Sequence, residues 1–204
     1  MLYEVEEDNL NYMLPSPSKL MQAQGSDPDV FKQIVYLCNP GPDKYDGNWK
    51  AIKIHLETVT GKNLNHADAS GMMGKLFFTE QALTTLKEEV SLKEFFENPN
   101  FGEFVEVFYD NNGKPVKGFF FNPAITLESQ DIAVDTMEDQ YANTLSATPR
   151  IHDFPVMLFK TMKNITTVYC TQIFKDTFEN SNLTGLIFKE TGHQIEGSST
   201  PKLS

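Results

Sequence analysis

Apolar and polar positions exchange sides along the first residues of the chain. Leu2, Glu4 and Glu6 fall on one face of an extended segment and Tyr3 and Val5 on the other, which predicts a strand over residues 2–6. Leu14-Pro15-Ser16-Pro17-Ser18 and the polar tract up to Pro28 predict loop. Residues 31–38 are rich in β-formers and read as a strand, stopped by Asn39-Pro40-Gly41-Pro42. Over residues 50–56, Ile52, Ile54 and Leu56 oppose Lys53 and His55, the pattern of a half-buried strand. Residues 61–71 are polar and predict loop.

The pattern then sharpens. A short apolar strand over residues 75–78 runs into Thr79, a candidate N-cap, and Ala82, Leu83, Leu86 and Val90 follow at helical spacing. Ser91-Leu92-Lys93-Glu94 has the form of a capping box and carries Phe95 and Phe96 inward, with Asn98-Pro99-Asn100 as the stop. Residues 103–109 and 116–122 are apolar, aromatic runs joined through Asn112-Gly113, whose preference for positive φ predicts a β-hairpin. The run Gly118-Phe119-Phe120-Phe121 lacks alternation, so its strand is expected to be covered on both faces. Acidic residues 128–139 predict loops around a short strand at 132–134, and a further strand is predicted over 156–159. Residues 166–170 form another strand, Thr171 is placed to cap a helix with Ile173, Phe174, Thr177 and Phe178 on its inner face, and residues 184–188 form a last strand. The chain from residue 192 is polar and expected to fray. Together these elements predict one α+β domain over residues 1–204, a mostly antiparallel sheet with two or more packed helices.

Charge narrows the possible partners. Lys and Arg number 17 against 28 Asp and Glu, for a net charge of −11, and Arg150 is the only arginine. Arginine supplies the planar fork that grips phosphates and base edges, so its near absence argues against nucleic-acid binding. A surface this negative attracts a basic partner, although solubility alone also accounts for an acidic composition. No run approaches the roughly 18 apolar residues of a membrane span, and the acidic start of the chain is unlike a signal peptide. With Cys38 and Cys170 far apart and no paired-cysteine motif, a cytoplasmic protein is expected.

No catalytic constellation emerges. Gly71-Met72-Met73-Gly74-Lys75 lacks the leading glycine and the trailing Ser/Thr of a phosphate loop and reads as a turn into a strand. His152-Asp153 runs directly into Phe154-Pro155, which ends any helix that a metal pair would need. His55, His66 and His193 stand alone. Ser16-Pro17-Ser18-Lys19 matches Ser-x-x-Lys without its companion motifs. Neither cysteine has basic sequence neighbours, which makes each a small core residue. Glu128, Asp131, Asp135, Glu138 and Asp139 form a dense acidic run without the order of a calcium loop. They read as a solvated face or as an electrostatic patch for a basic partner, and no metal or cofactor is expected.

Four stretches, in order, resemble a family of immunity proteins from bacterial polymorphic-toxin systems, immunity protein family 11. They are Phe77-Phe78-Thr79-Glu80-Gln81-Ala82-Leu83; Phe104-Val105-Glu106-Val107 through Gly118-Phe119-Phe120-Phe121-Asn122; Ile132-Ala133-Val134-Asp135; and Val168-Tyr169-Cys170-Thr171 through Leu183-Thr184-Gly185-Leu186-Ile187-Phe188. The resemblance spans about residues 76–190 and leaves residues 1–75 as a possible subregion of their own. The family's usual Ser at the first cap is Thr79 here. What the resemblance implies is a cytosolic, non-catalytic protein that occludes the active site of a cognate toxin, with the acidic residues 128–139 as the candidate contact surface. Two other readings stay open at this stage. One is a hydrolase that reverses a toxin's modification around His152 and Asp153, and the other is a secretion-system adaptor or chaperone.

Overall fold

The computed structural model describes residues 1–22, 27–58, 64–127, 133–134, 157–191 and 193–194. The N-terminal elements are β1 (Leu2–Glu7), β2 (Tyr12–Pro15), α1 (Pro17–Gln22), α2 (Pro28–Cys38), β3 (Ile52–Lys53), β4 (Leu56–Glu57), β5 (Asn65–His66) and β6 (Ala69–Met72). The middle of the chain forms β7 (Lys75–Thr79), α3 (Glu80–Leu86), α4 (Val90–Glu97), β8 (Gly102–Asn111), β9 (Lys114–Pro123), β10 (Thr126–Leu127) and β11 (Ala133–Val134). After these come β12 (Leu158–Thr161), β13 (Asn164–Thr171), α5 (Gln172–Asn180), β14 (Leu186–Glu190) and β15 (His193–Gln194). No helix among the described residues is long and apolar enough to cross a membrane.

The architecture is α+β and mostly antiparallel. One five-stranded sheet has the order β10-β12-β13-β1-β14 and the other β3-β8-β9-β7-β6. Each has a single parallel pair, β10 with β12 and β3 with β8. A small sheet orders as β4-β2-β5, and β11 pairs with β15. Asn112 and Gly113, with φ of 54° and 80°, make the two-residue turn that matches the right-handed twist of paired strands. From that turn β8 and β9 pair without a break, from Asn111 opposite Lys114 to Gly102 opposite Pro123. Met73 and Gly74, with φ of 49° and 71°, repeat the device between β6 and β7, so the glycine-flanked Met-Met segment is a hairpin turn.

The second sheet is buried on both faces. Phe77, Phe120 and Val105 lie side by side across β7, β9 and β8, on the face that α1 and α2 cover with Leu20, Ile34 and Leu37. Leu76, Phe121 and Phe104 occupy the opposite face, against Leu83 and Leu86 of α3, Phe95 and Phe96 of α4, and Tyr3, Val5, Leu158 and Val168 of the first sheet. Each fully buried aromatic side chain contributes about 1.5–3 kcal/mol through burial. β1 sits between β13 and β14, which ties the chain's beginning to its last described elements.

Several local expectations change. Residues 31–38, expected as a strand, belong to the helix α2. Asp27 accepts from the Asp29 N–H as N-cap, Pro28 occupies the first turn, and Val30, Ile34 and Leu37 recur at helical spacing against the core. Part of the expected loop is the helix α1, where Ser16 accepts from the Lys19 N–H at 3.3 Å just ahead of Pro17. Thr79 caps α3 by accepting from Ala82 N–H at 3.1 Å, but Val90 is 68% exposed because it opens α4 instead of completing the stripe of α3. The cap of α4 is Glu89, whose carboxylate takes the Ser91 N–H and hydroxyl, so the Ser91 box is not formed. Thr171 stands at the N-cap of α5 without a side-chain cap bond, its hydroxyl turned to Met157 Sδ at 3.6 Å. Ile173 is exposed, leaving Phe174 and Phe178 as the buried face of that helix.

Replacing Phe120 by Ala removes a side chain at the centre of the double-faced sheet and should cost about 3–5 kcal/mol, read from urea unfolding. Gly113→Ala forces a side chain into a left-handed turn with no atom within 4 Å to clash. Its cost is therefore backbone strain alone, about 1–2 kcal/mol, by the same measurement.

Candidate functional site: an acidic cleft at the hairpin turn

A cleft of about 980 Å³ opens where the turn end of the β8–β9 hairpin approaches the small sheet and the start of α3. His55, His66, Asp68, Glu80, Tyr109 and Asp110 supply its chemistry. Alternation directs the His55 side chain outward, since Ile54 beside it is fully buried, and the His55 carbonyl accepts the Ser16 N–H. His66 is placed by β5, which pairs in parallel with β2 as Met13 opposite His66. Glu80 is the first residue of α3, behind the Thr79 cap, where a carboxylate meets the positive end of the helix.

Asp68 is the most constrained of the group. Its Oδ2 accepts from Thr184 Oγ1 at 2.6 Å and from the Thr184 N–H at 3.0 Å, and its carbonyl accepts the Thr79 N–H at 2.8 Å. Asp68 thereby links the loop before β14 to the joint between β7 and α3. Tyr109 is buried, with His66 and Phe77 rings edge-on to it at 5.6 Å each. Asp110 accepts the Gly113 N–H at 2.7 Å and has Lys53 at 3.8 Å on the rim.

The electrostatics have one sign. Three carboxylates line the cleft, and no Lys or Arg is among its described lining residues. Burial raises the Tyr109 phenol above its ordinary range, and the charges of Asp68 and Glu80 raise it further. His66 Nδ1 is buried and has no hydrogen-bond partner among the described residues. Neither imidazole is hydrogen-bonded to a hydroxyl or carboxylate there, so the pairing that activates a nucleophile is not formed by them. No three His, Cys, Asp or Glu side chains among the described residues form a group that could hold a metal ion. The arrangement suits reception of a cationic group, with the carboxylates supplying the charge.

The sequence-predicted contact residues Glu128, Asp131, Asp135, Glu138 and Asp139 lie outside the described residues, as do His152 and Asp153. Of that region β11 is described, paired with β15. Cys38 and Cys170 are free thiols, and burial raises both. The cleft residues were not legible as a set. They come from four separate segments, and no spacing between them matches a motif; only the isolation of His55 and His66 from other histidines was visible.

Glu80→Gln should lower the Tyr109 phenol while leaving it above the ordinary tyrosine value, because burial is the larger cause. Ring-carbon NMR of Tyr109 against pH measures this, and an unchanged titration would separate Glu80 from the site.

The family models compared with this chain do not match it, and neither do the curated proteins.

Proposed function

We propose that this protein binds and neutralises a cognate bacterial toxin in the cytoplasm, without catalysis, by occluding the toxin's active site. The observation that carries the reading is the sign of the cleft: three carboxylates and two imidazoles around a concavity of about 980 Å³, on a chain with net charge −11. A toxin that works on nucleic acid presents basic side chains at its active site, and an acidic concavity both attracts and covers them. A standard interface of roughly 1,600 Å² in total is within reach of a chain of this size. The stretches that resemble immunity proteins fall on β7 with α3, on the β8–β9 hairpin, around β11, and on β13 through α5 to β14. Three of the cleft's residues, Glu80, Tyr109 and Asp110, belong to or adjoin those elements.

The test is a pull-down from the native host followed by toxicity rescue with the partner that co-purifies. The expected result is a toxic domain silenced at one equivalent of this protein. Rescue at far below one equivalent would replace occlusion with a catalytic role. With the partner in hand, Glu80→Lys together with Asp110→Lys should weaken binding about tenfold or more at low salt, chiefly through a slower on-rate in surface plasmon resonance.

A further inference from the structure

Residues 39–50 cross the second sheet without forming helix or strand. After the Asn39 N–H, which bonds Tyr36 O to end α2, no backbone–backbone hydrogen bond holds this segment among the described residues. Side chains hold it instead. Lys75 Nζ donates to Asn39 O, and Lys160 Nζ donates to Pro40 O at 2.8 Å and Gly41 O at 3.3 Å. Asn122 Nδ2 donates to Gly41 O at 3.3 Å and Asp43 O at 2.9 Å. Farther along, Glu103 takes the Tyr45 N–H at 2.8 Å, and Trp49 Nε1 donates to Glu106 O at 2.6 Å.

We propose that residues 39–50 form an acid-released strap, held closed by the buried amino groups of Lys75 and Lys160 and opened when both carry a proton. The two side chains are 1% and 0% exposed, and neither has a carboxylate within 4.0 Å among the described residues. Lys160 reaches from the first sheet to Asn122 Oδ1 at 2.6 Å on the second, so both amines meet under one strap. Facing Lys75 are the Tyr36 ring at 4.7 Å, the Cys38 thiol and the Glu103 carboxylate, the last already bonded to Tyr36 Oη and the Tyr45 N–H. The charged group facing Lys160 is Lys75, and it is repulsive. The neutral amine of Lys160 keeps two N–H donors, enough for Asn122 Oδ1 and one strap carbonyl. A second buried positive charge adds one donor and costs both desolvation and repulsion.

Burial lowers Lys75 to about 8, and burial with the Lys75 charge lowers Lys160 to about 7. In the open strap both return toward the ordinary lysine value near 10.4. Between about pH 7 and 10 the open form therefore binds protons that the closed form does not. Closure is strongest at the alkaline end of that window and weakens as pH falls, levelling out below the closed-state value of Lys160. Release would uncover Tyr36 and separate the edge-to-face trio that Tyr36, Tyr45 and Trp49 make at 5.1–5.9 Å. Trp49 is the only tryptophan, so it reports on the strap.

Amide hydrogen exchange on the full chain at pH 9 and pH 6, corrected for intrinsic rates, tests the proposal, with Trp49 fluorescence in parallel. Protection of the Tyr45 amide, the strap N–H that Glu103 accepts, should fall about ten- to hundredfold on acidification, while the β8–β9 amides stay protected. Lys75→Met removes the repulsion and should shrink that fall, and its folding is checked by circular dichroism. Should Lys75→Met not fold, Lys75→Gln and the wild-type comparison still decide. Equal protection at the two pH values, an undiminished fall in the variant that folds, or a loss shared by the hairpin would each overturn the strap.

Discussion

Side chains on neighbouring strand positions point to opposite faces, and in this protein neither face of the central sheet can be left to water. Phe119, Phe120 and Phe121 are consecutive, and Phe77 and Phe78 sit opposite them in register. Burying Phe120 with Phe77 demands one cover, supplied by α1 and α2, and burying Phe121 with Phe78 demands another, supplied by the first sheet with α3, α4 and α5. The layered arrangement follows from that requirement. The chain must place residues 17–38 on one side and bring β1 together with β12 to β14 to the other, so β1 shares a sheet with the last long strands.

Three-layer packing creates a joint where the covers meet, and polar side chains occupy it. Lys160 from the first sheet, Asn122 and Lys75 from the second, and the carbonyls after α2 converge in a volume without water access. Such a network is costly to bury and specific in geometry, so it ties the layers in one relative position more strictly than apolar contacts do. Both amines lie beside the carbonyls that follow the C-terminal end of α2 and donate to them. The same packing ends at the hairpin turn, where the covers stop short of the turn's polar residues and leave the cleft open.

Features set by a few adjacent residues were legible in advance. The Asn112-Gly113 turn, the Thr79 cap and the double burial of Phe120 and Phe121 depend on φ preference, one side-chain oxygen and uninterrupted apolarity, all of them local. Errors arose where two local signals competed. In residues 28–38 the β-branched residues outweighed the Asp27-Pro28 start in a sequence reading, but a helix places Ile34 and Leu37 against Phe77 and Phe120, so the core selected it.

What the sequence determined by itself was therefore the fold class, the hairpin and most strand positions, together with the net negative charge. Tertiary structure alone decided that Asp68 meets Thr184 from 116 positions away and that Lys160 meets Pro40 across 120. It likewise decided that Tyr109, Asp68 and Glu80 share one electrostatic field. The physical reason is range. Turns and caps are fixed by torsions and bonds within four residues, whereas a cleft or a buried amine exists only once distant segments have excluded water between them.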